Sequence, residues 1–176
     1  HFFKPSKYKG TQLLFNSYQQ HYLSPPIQLS MYYPSLKKIH VLNSSQLMGP
    51  LMGSDFNYCD LMPRHPSLDS HTLIRETEKY YYIESIPHEP GSFYGKRLIK
   101  IRKSLFVIKG IVFYNQKNKK VKILKHRKLT EIKLGYLVTE LTMKSFLTGH
   151  QTILSVSNIE INQPLPMSLF TLKPHY

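Results

Sequence analysis

Fold class is decided by residues 97–114, which read RLIKIRKSLFVIKGIVFY. Leu98 and Lys100 fall on one face of a strand and Ile99 falls on the other, because successive side chains of a β-strand alternate. A nearly continuous apolar run follows and ends at Tyr114. The pattern predicts two consecutive β-strands.

Similar segments occur on both sides of this stretch, separated by turn residues at intervals of about 8–12 residues. About nine such strands without a long helix predict a mostly β fold with an antiparallel sheet, as a sandwich, a barrel or an open curved sheet. The other predicted strands are Thr11–Tyr18, Ile27–Tyr33, Lys37–Leu42, His71–Glu76, Lys79–Ile86, Val121–Ile132, one that begins at Gly135, and one that contains Thr152, Leu154 and Val156.

The amino-acid composition agrees with a β fold. The 176 residues, 41% hydrophobic and 19% charged, suit one globular domain. Alanine, the best helix former, does not occur, whereas 13 Tyr and 9 Phe favour strands. The sequence has no apolar run of the length that a transmembrane helix needs, which is about 18 residues or more.

Positive charge is concentrated in one part of the chain. The formal net charge is +14, and residues 96–133 hold fourteen Lys or Arg but one acid, Glu131. Such a segment is either a contact surface for anions or the solvated face of β-hairpins. No pattern of aromatic residues for base stacking accompanies the cations, which favours the solvated face. We expect these cations to lie mainly on the convex or rim surface: Lys96, Lys100, Arg102, Lys117, Lys119, Lys120, Lys122, Lys125 and Lys128.

The usual signatures of an enzyme are absent from the sequence. It contains neither a Gly-rich phosphate loop nor a G-x-S-x-G element, and its histidines lack metal-binding spacing. The single cysteine, Cys59, excludes an internal disulfide and is expected to be a small, buried apolar residue. We therefore predict no catalytic residue, no metal and no cofactor.

The loop from Gln46 to Phe56 is apolar where a surface loop should be polar, and the lid predicted from it extends to Leu61. Either it folds over one mouth of the sheet and completes the core, or it is a mobile lid over a ligand cavity, and both interpretations stay open. Ser54-Asp55 is predicted to cap a short helical turn through Leu61. In the lid interpretation the cargo contacts are Met48, Leu51, Met52 and Phe56 in the loop and Leu141, Met143, Leu154 and Val156 on the strands.

Several segments resemble, in the same order, motifs of the bacterial outer-membrane lipoprotein-sorting protein family, which is similar in fold to the periplasmic lipoprotein carrier LolA. Residues 52–61, MGSDFNYCDL, resemble the family's M-G-S-D-F-x-Y-E-D-L motif, in which Cys59 replaces a glutamate. The motif positions are Gly53, Ser54, Asp55, Tyr58 and Asp60. The other matching segments are Lys9–Leu14, Tyr32–Ile39, Tyr81–Pro87, Gly149–Thr152 (GHQT), and Pro166 with Leu169–Thr171.

The resemblance implies a strongly curved antiparallel sheet, an incomplete β-barrel, whose apolar cavity is closed by short helical lid segments. It implies a single LolA-like domain over residues 1–176 that lacks the family's usual N-terminal part, including the signal peptide. An uncovered sheet edge is then expected near Thr11–Tyr18, covered by a partner chain or by residues outside this sequence.

The function implied is that of a periplasmic carrier or adaptor for lipid or lipoprotein acyl chains, beside a membrane transporter and an anionic membrane surface. Two alternatives remain: a basic β-fold that binds nucleic acid, which the missing aromatic pattern disfavours, and a structural subunit of an envelope complex. A continuous apolar pocket would favour the carrier.

Overall fold

The computed structural model describes residues 8–17, 27–133 and 135–172. Strands make up 50% and helices 12% of the structure, the sheets are antiparallel, and they do not close into a barrel. The predicted mostly β class is therefore confirmed. In the described part of the chain, no helix is long and apolar enough to cross a membrane.

The chain divides into two compact units. The first is formed by the described residues within 1–53, 57–63 and 160–176, and the second by residues 54–56 and 64–159. The prediction of a single domain over residues 1–176 stays a prediction.

The first unit holds a three-stranded sheet in the order β1-β2-β3. The strands are β1 (Gln12–Ser17), β2 (Ile27–Tyr33) and β3 (Lys38–Val41). Within the described residues β1 pairs with β2 alone, so it lies at a sheet edge, as expected; Tyr18, the predicted end of this strand, lies outside them. The core of this sheet includes Leu29 and Met31, both fully buried.

Short helical segments follow β3 in the first unit. Helix α1 (Ser44–Leu47) begins with a capping box. The Asn43 side chain accepts from the Gln46 N–H at 3.0 Å, and the Gln46 side chain accepts from the Asn43 N–H at 2.9 Å. Single 3₁₀ turns occur at Leu51–Gly53 and Tyr58–Leu61. The Gly- and Pro-containing sequence of this region does not continue the strand pattern.

The second unit holds a seven-stranded antiparallel meander in the order β10-β9-β8-β7-β6-β5-β4. A single sheet was expected, but the described strands form two, because the helical segments between β3 and β4 interrupt the succession of hairpins. The strands of the seven-stranded sheet are β4 (Asp69–Glu76), β5 (Tyr80–Pro87), β6 (Lys96–Arg102), β7 (Val107–Tyr114), β8 (Lys120–Ile132), β9 (Gly135–Ser145) and β10 (Gln151–Ser155).

Close approach of β7 and β8 depends on Gly110. A Cβ atom at this position would lie 2.8 Å from the Leu124 carbonyl oxygen, which is closer than real Cβ contacts allow. Gly110 therefore lets the two backbones pack closely in the middle of the meander.

A buried carboxylate lies at the start of the meander. Asp69 is 7% exposed and accepts from the Arg64 Nε at 3.1 Å and Nη2 at 2.5 Å, while the Arg97 Nη1 lies 3.4 Å from its Oδ2. Burial alone would raise the pKa of Asp69, but the hydrogen bonds and charge of Arg64 and the charge of Arg97 lower it overall. The carboxylate is therefore ionised and paired in the folded protein.

Replacing Asp69 with Asn should lower the free energy of unfolding at neutral pH by about 3 kcal/mol, because two arginines lose their shared partner. Since the folded-state pKa is lowered, wild-type Asp69 stabilises the fold above the unfolded carboxyl pKa of about 4, and this contribution disappears as the pH falls through the folded-state pKa. Urea unfolding of wild type and Asp69→Asn, at neutral pH and at acidic pH below about 4, measures the cost of the substitution and its disappearance on acidification.

The matched control is Glu76→Gln. Glu76 also pairs with a cation, Lys103, but its side chain is 51% exposed, so its loss should change stability by less than about 1 kcal/mol. Equal effects of the two substitutions would contradict a special role for the buried pair.

Candidate functional site

Two motifs that lie far apart in the sequence meet in the second unit. The Asp55 carboxylate, from the MGSDF segment, accepts from the Thr152 hydroxyl at 2.7 Å and lies 3.0 Å from the His150 Nδ1. The Asp55 N–H donates to the Thr152 Oγ1 at 3.0 Å. These contacts, which we call the clasp, fix residues 54–56 on the first residues of β10.

The clasp corrects the predicted role of Asp55, which does not cap the helical turn ending at Leu61. The N-cap of this turn is Asn57, whose N–H donates to the carboxylate of Asp60 at 2.7 Å. The Asp55 side chain is only 8% exposed, and a buried carboxylate needs donors. Thr152 and His150 supply them from a hairpin 95 or more residues away.

One face of the meander carries a continuous line of apolar side chains. Directly paired residues in an antiparallel sheet share a face, so the strand register identifies this line without ambiguity. We call it the apolar row, and the face that bears it the apolar face. From β4 to β9 the apolar row consists of Leu73, Ile83, Ile99, Ile111, Leu124 and Met143.

Exposure changes along the apolar row. Met143 is fully buried and Leu124 is 7% exposed, whereas Leu73 at the other end is 52% exposed. Ile83, Ile99 and Ile111 between them are half-buried. The row is thus packed at β8 and β9 and open to solvent towards β4, which gives an apolar surface that a further apolar group can cover.

A second row beside the apolar row mixes polar and aromatic side chains and contains His71, Ser85, Arg97 and Phe113. Tyr94 stacks on Phe113 with ring centroids 4.5 Å apart, and the Arg97 guanidinium lies 5.4 Å from the Tyr94 centroid. His71 lies 2.7 Å from the Ser85 hydroxyl, but Ser85 is fully buried and the other His71 nitrogen is held by the Pro66 carbonyl. This Ser–His pair is therefore structural, since a reactant cannot reach its hydroxyl.

The strand residues predicted to contact cargo fall on the apolar face. Met143 is part of the apolar row, and Leu141 pairs directly with Leu154 beside it. Val156 follows β10 in the same alternation, its N–H donating to the Thr139 carbonyl at 2.9 Å. Leu154 and Val156 are 37% and 48% exposed, so both can be reached from solvent.

The loop residues predicted as lid divide between the two units. Met48, Leu51, Met52, Gly53, Tyr58 and Asp60 belong to the first unit, and Ser54, Asp55 and Phe56 to the second. Phe56 is 2% exposed and Leu51 9% exposed, so both side chains are buried. Met52 has a φ of 49°, a left-handed conformation that is unusual for a residue other than glycine.

Burial also affects Tyr58 in the first unit. Its side chain is 8% exposed, and this burial, with the nearby Tyr33, raises the pKa of its phenol, so it stays neutral. The Tyr58 N–H donates to the Gly49 carbonyl at 3.2 Å. The motif tyrosine therefore ties two parts of the apolar loop together.

Sequence reasoning missed the part of the apolar row that is half-open. Ile83, Ile99 and Ile111 lie in predicted strands, and their alternation was visible, but only the register shows that they align. It also missed His126, which pairs with Leu141 on the apolar face. Burial, reinforced by the charge of Lys109, lowers the pKa of His126, and within the described residues its buried Nδ1 has no hydrogen-bond partner.

A cavity of about 160 Å³ lies elsewhere in the second unit, at the connection between β5 and β6. None of the predicted cargo residues lines it, so it is not the expected apolar cavity. In the described part of the chain, no group of three or more His, Cys, Asp or Glu side chains is placed to hold a metal ion. The cavity is lined by Ile86, Pro87, His88, Glu89, Pro90, Gly91, Ser92, Tyr94, Gly95 and Gln116.

Comparison with known proteins assigns the chain to a protein family. A family model described as "Uncharacterized protein" matches residues 1–174. The chain belongs to this family. Among curated proteins, no relative matches the sequence.

Solved structures with the same fold include two bacterial proteins that superpose on this chain with TM-scores above 0.8. A domain described as an outer membrane lipoprotein-sorting protein, from Vibrio parahaemolyticus, has a TM-score of 0.84 at 24% identity and is matched over 96% of this chain and 72% of its own. A DUF1329 family protein from Desulfovibrio piger has a TM-score of 0.88 at 21% identity, over 97% of this chain and 72% of its own.

A LolA superfamily protein from Nitrosomonas europaea is also similar, with a TM-score of 0.72 at 20% identity over 97% of this chain and 74% of its own. At these identities the similarity establishes the fold. This protein therefore has a LolA-like fold, which confirms the resemblance found in the sequence.

The clasp should contribute measurably to stability. We expect Asp55→Asn and Thr152→Val each to lower the free energy of unfolding by about 1–3 kcal/mol, because each leaves a buried polar partner unsatisfied. In a double-mutant cycle measured by urea unfolding, the two effects should be clearly less than additive. His150→Gln, at a side chain that is 71% exposed, serves as the control and should cost less than about 1 kcal/mol. Strict additivity of Asp55 and Thr152 would contradict the clasp.

Proposed function

We propose that this protein is a carrier or adaptor that shields the acyl chains of lipids or lipoproteins on the apolar face of its seven-stranded sheet. The observation that carries the proposal is the apolar row, which crosses six adjacent strands and becomes solvent-exposed towards β4. An acyl chain gains about 0.8 kcal/mol for each CH₂ group removed from water. A line of half-buried isoleucines is a surface on which such a chain can lie.

The proposed role does not involve catalysis. Binding an acyl chain needs apolar area and no reacting groups, and the buried Ser–His pair of the second unit is closed to reactants. The proposed place of action is the periplasm, in outer-membrane lipoprotein sorting, with a membrane transporter and an anionic membrane surface as partners. Support for this setting comes from the sequence motifs and from the fold shared with a domain described as a lipoprotein-sorting protein.

The proposed cargo contacts differ in how directly they can be tested. Leu141, Met143, Leu154 and Val156 surround the packed end of the apolar face, and Leu154 and Val156 are the exposed ones. Met48 and Met52, which are partly exposed, remain proposed acyl contacts in the first unit, whereas Leu51 is 9% exposed and closed to a chain bound at the surface. A charged substitution at Phe56 would test a buried position rather than cargo binding, since Phe56 is 2% exposed.

The proposal is tested with Leu154→Asp and titration of a fluorescent fatty-acyl probe. We expect the dissociation constant to rise about tenfold, which corresponds to the loss of roughly 1.4 kcal/mol of apolar contact. The matched control is Ile153→Asp, because Ile153 is the neighbouring residue of β10, is 58% exposed and points to the opposite face.

The control should change probe affinity by less than about twofold, and both variants should keep the circular dichroism spectrum of the wild type, since both sites are exposed. Equal losses in the two variants, or a wild-type protein that does not bind the probe, would contradict the carrier proposal. The latter result would favour a structural role.

A further inference from the structure

We propose that the face of the seven-stranded sheet opposite the apolar row is a docking surface for an anionic phospholipid membrane. This face, which we call the cationic face, includes Lys96, Lys100 and Arg102 of β6 and Tyr80 and Tyr82 of β5, which pair with them or lie diagonally across. The inference extends the carrier proposal by assigning a surface for the membrane partner, but its evidence is independent of the cargo.

The strand register separates charge between the two faces. At the paired positions of the described strands β4–β10, the cationic face bears eight Lys or Arg and two Glu. The apolar face bears two cations, Arg97 and Lys122, and three acids at its paired positions. The eight cations are Arg75, Lys96, Lys100, Arg102, Lys120, Lys125, Lys128 and Lys144.

This distribution refines the expectation for the basic segment. Most of its strand cations do share one surface, but Lys122 lies on the apolar face, and Lys117 and Lys119 lie in the turn between β7 and β8. A one-sided excess of positive charge attracts anionic surfaces. Such a face is complementary to a membrane leaflet that contains anionic lipids.

Tyrosine rings support several of these cations, which sequence reasoning did not anticipate. The Lys100 Nζ lies 3.9 Å from the Tyr80 ring centroid and 5.6 Å from that of Tyr82, and the Arg75 guanidinium lies 5.4 Å from Tyr82. The Lys96 Nζ lies 5.1 Å from the Tyr114 centroid. The aromatic residues therefore hold the cations in place as cation–π partners.

The same contacts favour a membrane over single-stranded nucleic acid. A protein that binds single strands needs open ring faces on which bases stack. Here Lys100 and Arg75 already occupy the neighbourhood of Tyr80 and Tyr82. Tyrosine and lysine together are instead typical of the membrane interface, where an amphipathic ring sits at headgroup level and cations meet phosphates.

Apolar residues lie between the tyrosines and lysines of this face. Leu98, Val112 and Ile123 form a directly paired line across β6, β7 and β8, and all are partly exposed. In a leaflet, apolar side chains can contact the outer part of the acyl region, while tyrosine and lysine side chains contact the headgroups. Because side chains alternate along each strand, a protein docked in this way keeps its apolar row directed away from the docking surface.

The test is sedimentation with vesicles of phosphatidylcholine that contain 30% phosphatidylglycerol, compared with pure phosphatidylcholine vesicles. The wild type should bind the anionic vesicles, less so at high salt, and should bind neutral vesicles at least about tenfold more weakly. The double variant Lys100→Gln/Arg102→Gln should bind the anionic vesicles about tenfold or more weakly than wild type, since each cation near the surface contributes about a factor of five.

The charge-matched control is Lys117→Gln/Lys119→Gln, which removes two cations from the exposed turn between β7 and β8. It should weaken vesicle binding less than about threefold. Equal loss in both double variants, or equal binding to neutral vesicles, would overturn the proposal. Tighter binding to a single-stranded oligonucleotide that displaces the vesicles would also overturn it and favour nucleic acid.

The fluorescent fatty-acyl probe separates this inference from the carrier proposal. Both double variants should bind the probe within about twofold of wild type, because neither changes the apolar face. Loss of vesicle binding with retained probe binding supports both proposals. If probe binding falls in parallel, the cationic face is part of the cargo site and the assignment of the two faces is wrong.

Discussion

The register of the seven-stranded meander is the constraint on which the other features depend. Six apolar residues line up because each is paired with the next across the hydrogen-bonded strands. A slip of one residue in β6 would replace Ile99 with a neighbouring lysine or leucine and reverse the character of both faces at that strand. The register shifts at a few β-bulges, one of which lies between Lys100 and Ile101. Beyond this bulge Ile101 pairs with Ile108, and both lie on the apolar face.

The contacts that stabilise the second unit and the area proposed to bind acyl chains lie in different parts of the apolar face. The sheet is stabilised by the paired carboxylate of Asp69, the Tyr94–Phe113 contact and the packed Met143, all of which are buried. The half-buried isoleucines between them contribute less to packing and leave area for a ligand. Residues 54–56 add a further fixed element through the clasp at β10. A binding surface with such a rigid frame needs little reorganisation when it takes up an apolar chain.

Local patterns were enough to predict the strands but not their partners. The strand Ile27–Tyr33 was predicted to the residue, and the β4–β5 hairpin nearly so, because alternation and turn residues are local signals. The role of Asp55 was wrong because its partners lie 95 or more residues away, whereas a cap is the local alternative. The tyrosine–lysine contacts were missed for the same reason: Tyr80 meets Lys100 only when β5 and β6 are paired in this register.

The central claim is that acyl chains bind one face of this sheet and not the other. Photo-crosslinking with a fatty acid that carries a diazirine near its methyl end, followed by peptide mass spectrometry, tests it directly. The account predicts labelling of Ile83, Ile99 or Ile111, which share the apolar face. Labelling of Leu98, Val112 or Ile123, which alternate with them on the opposite face, would contradict it.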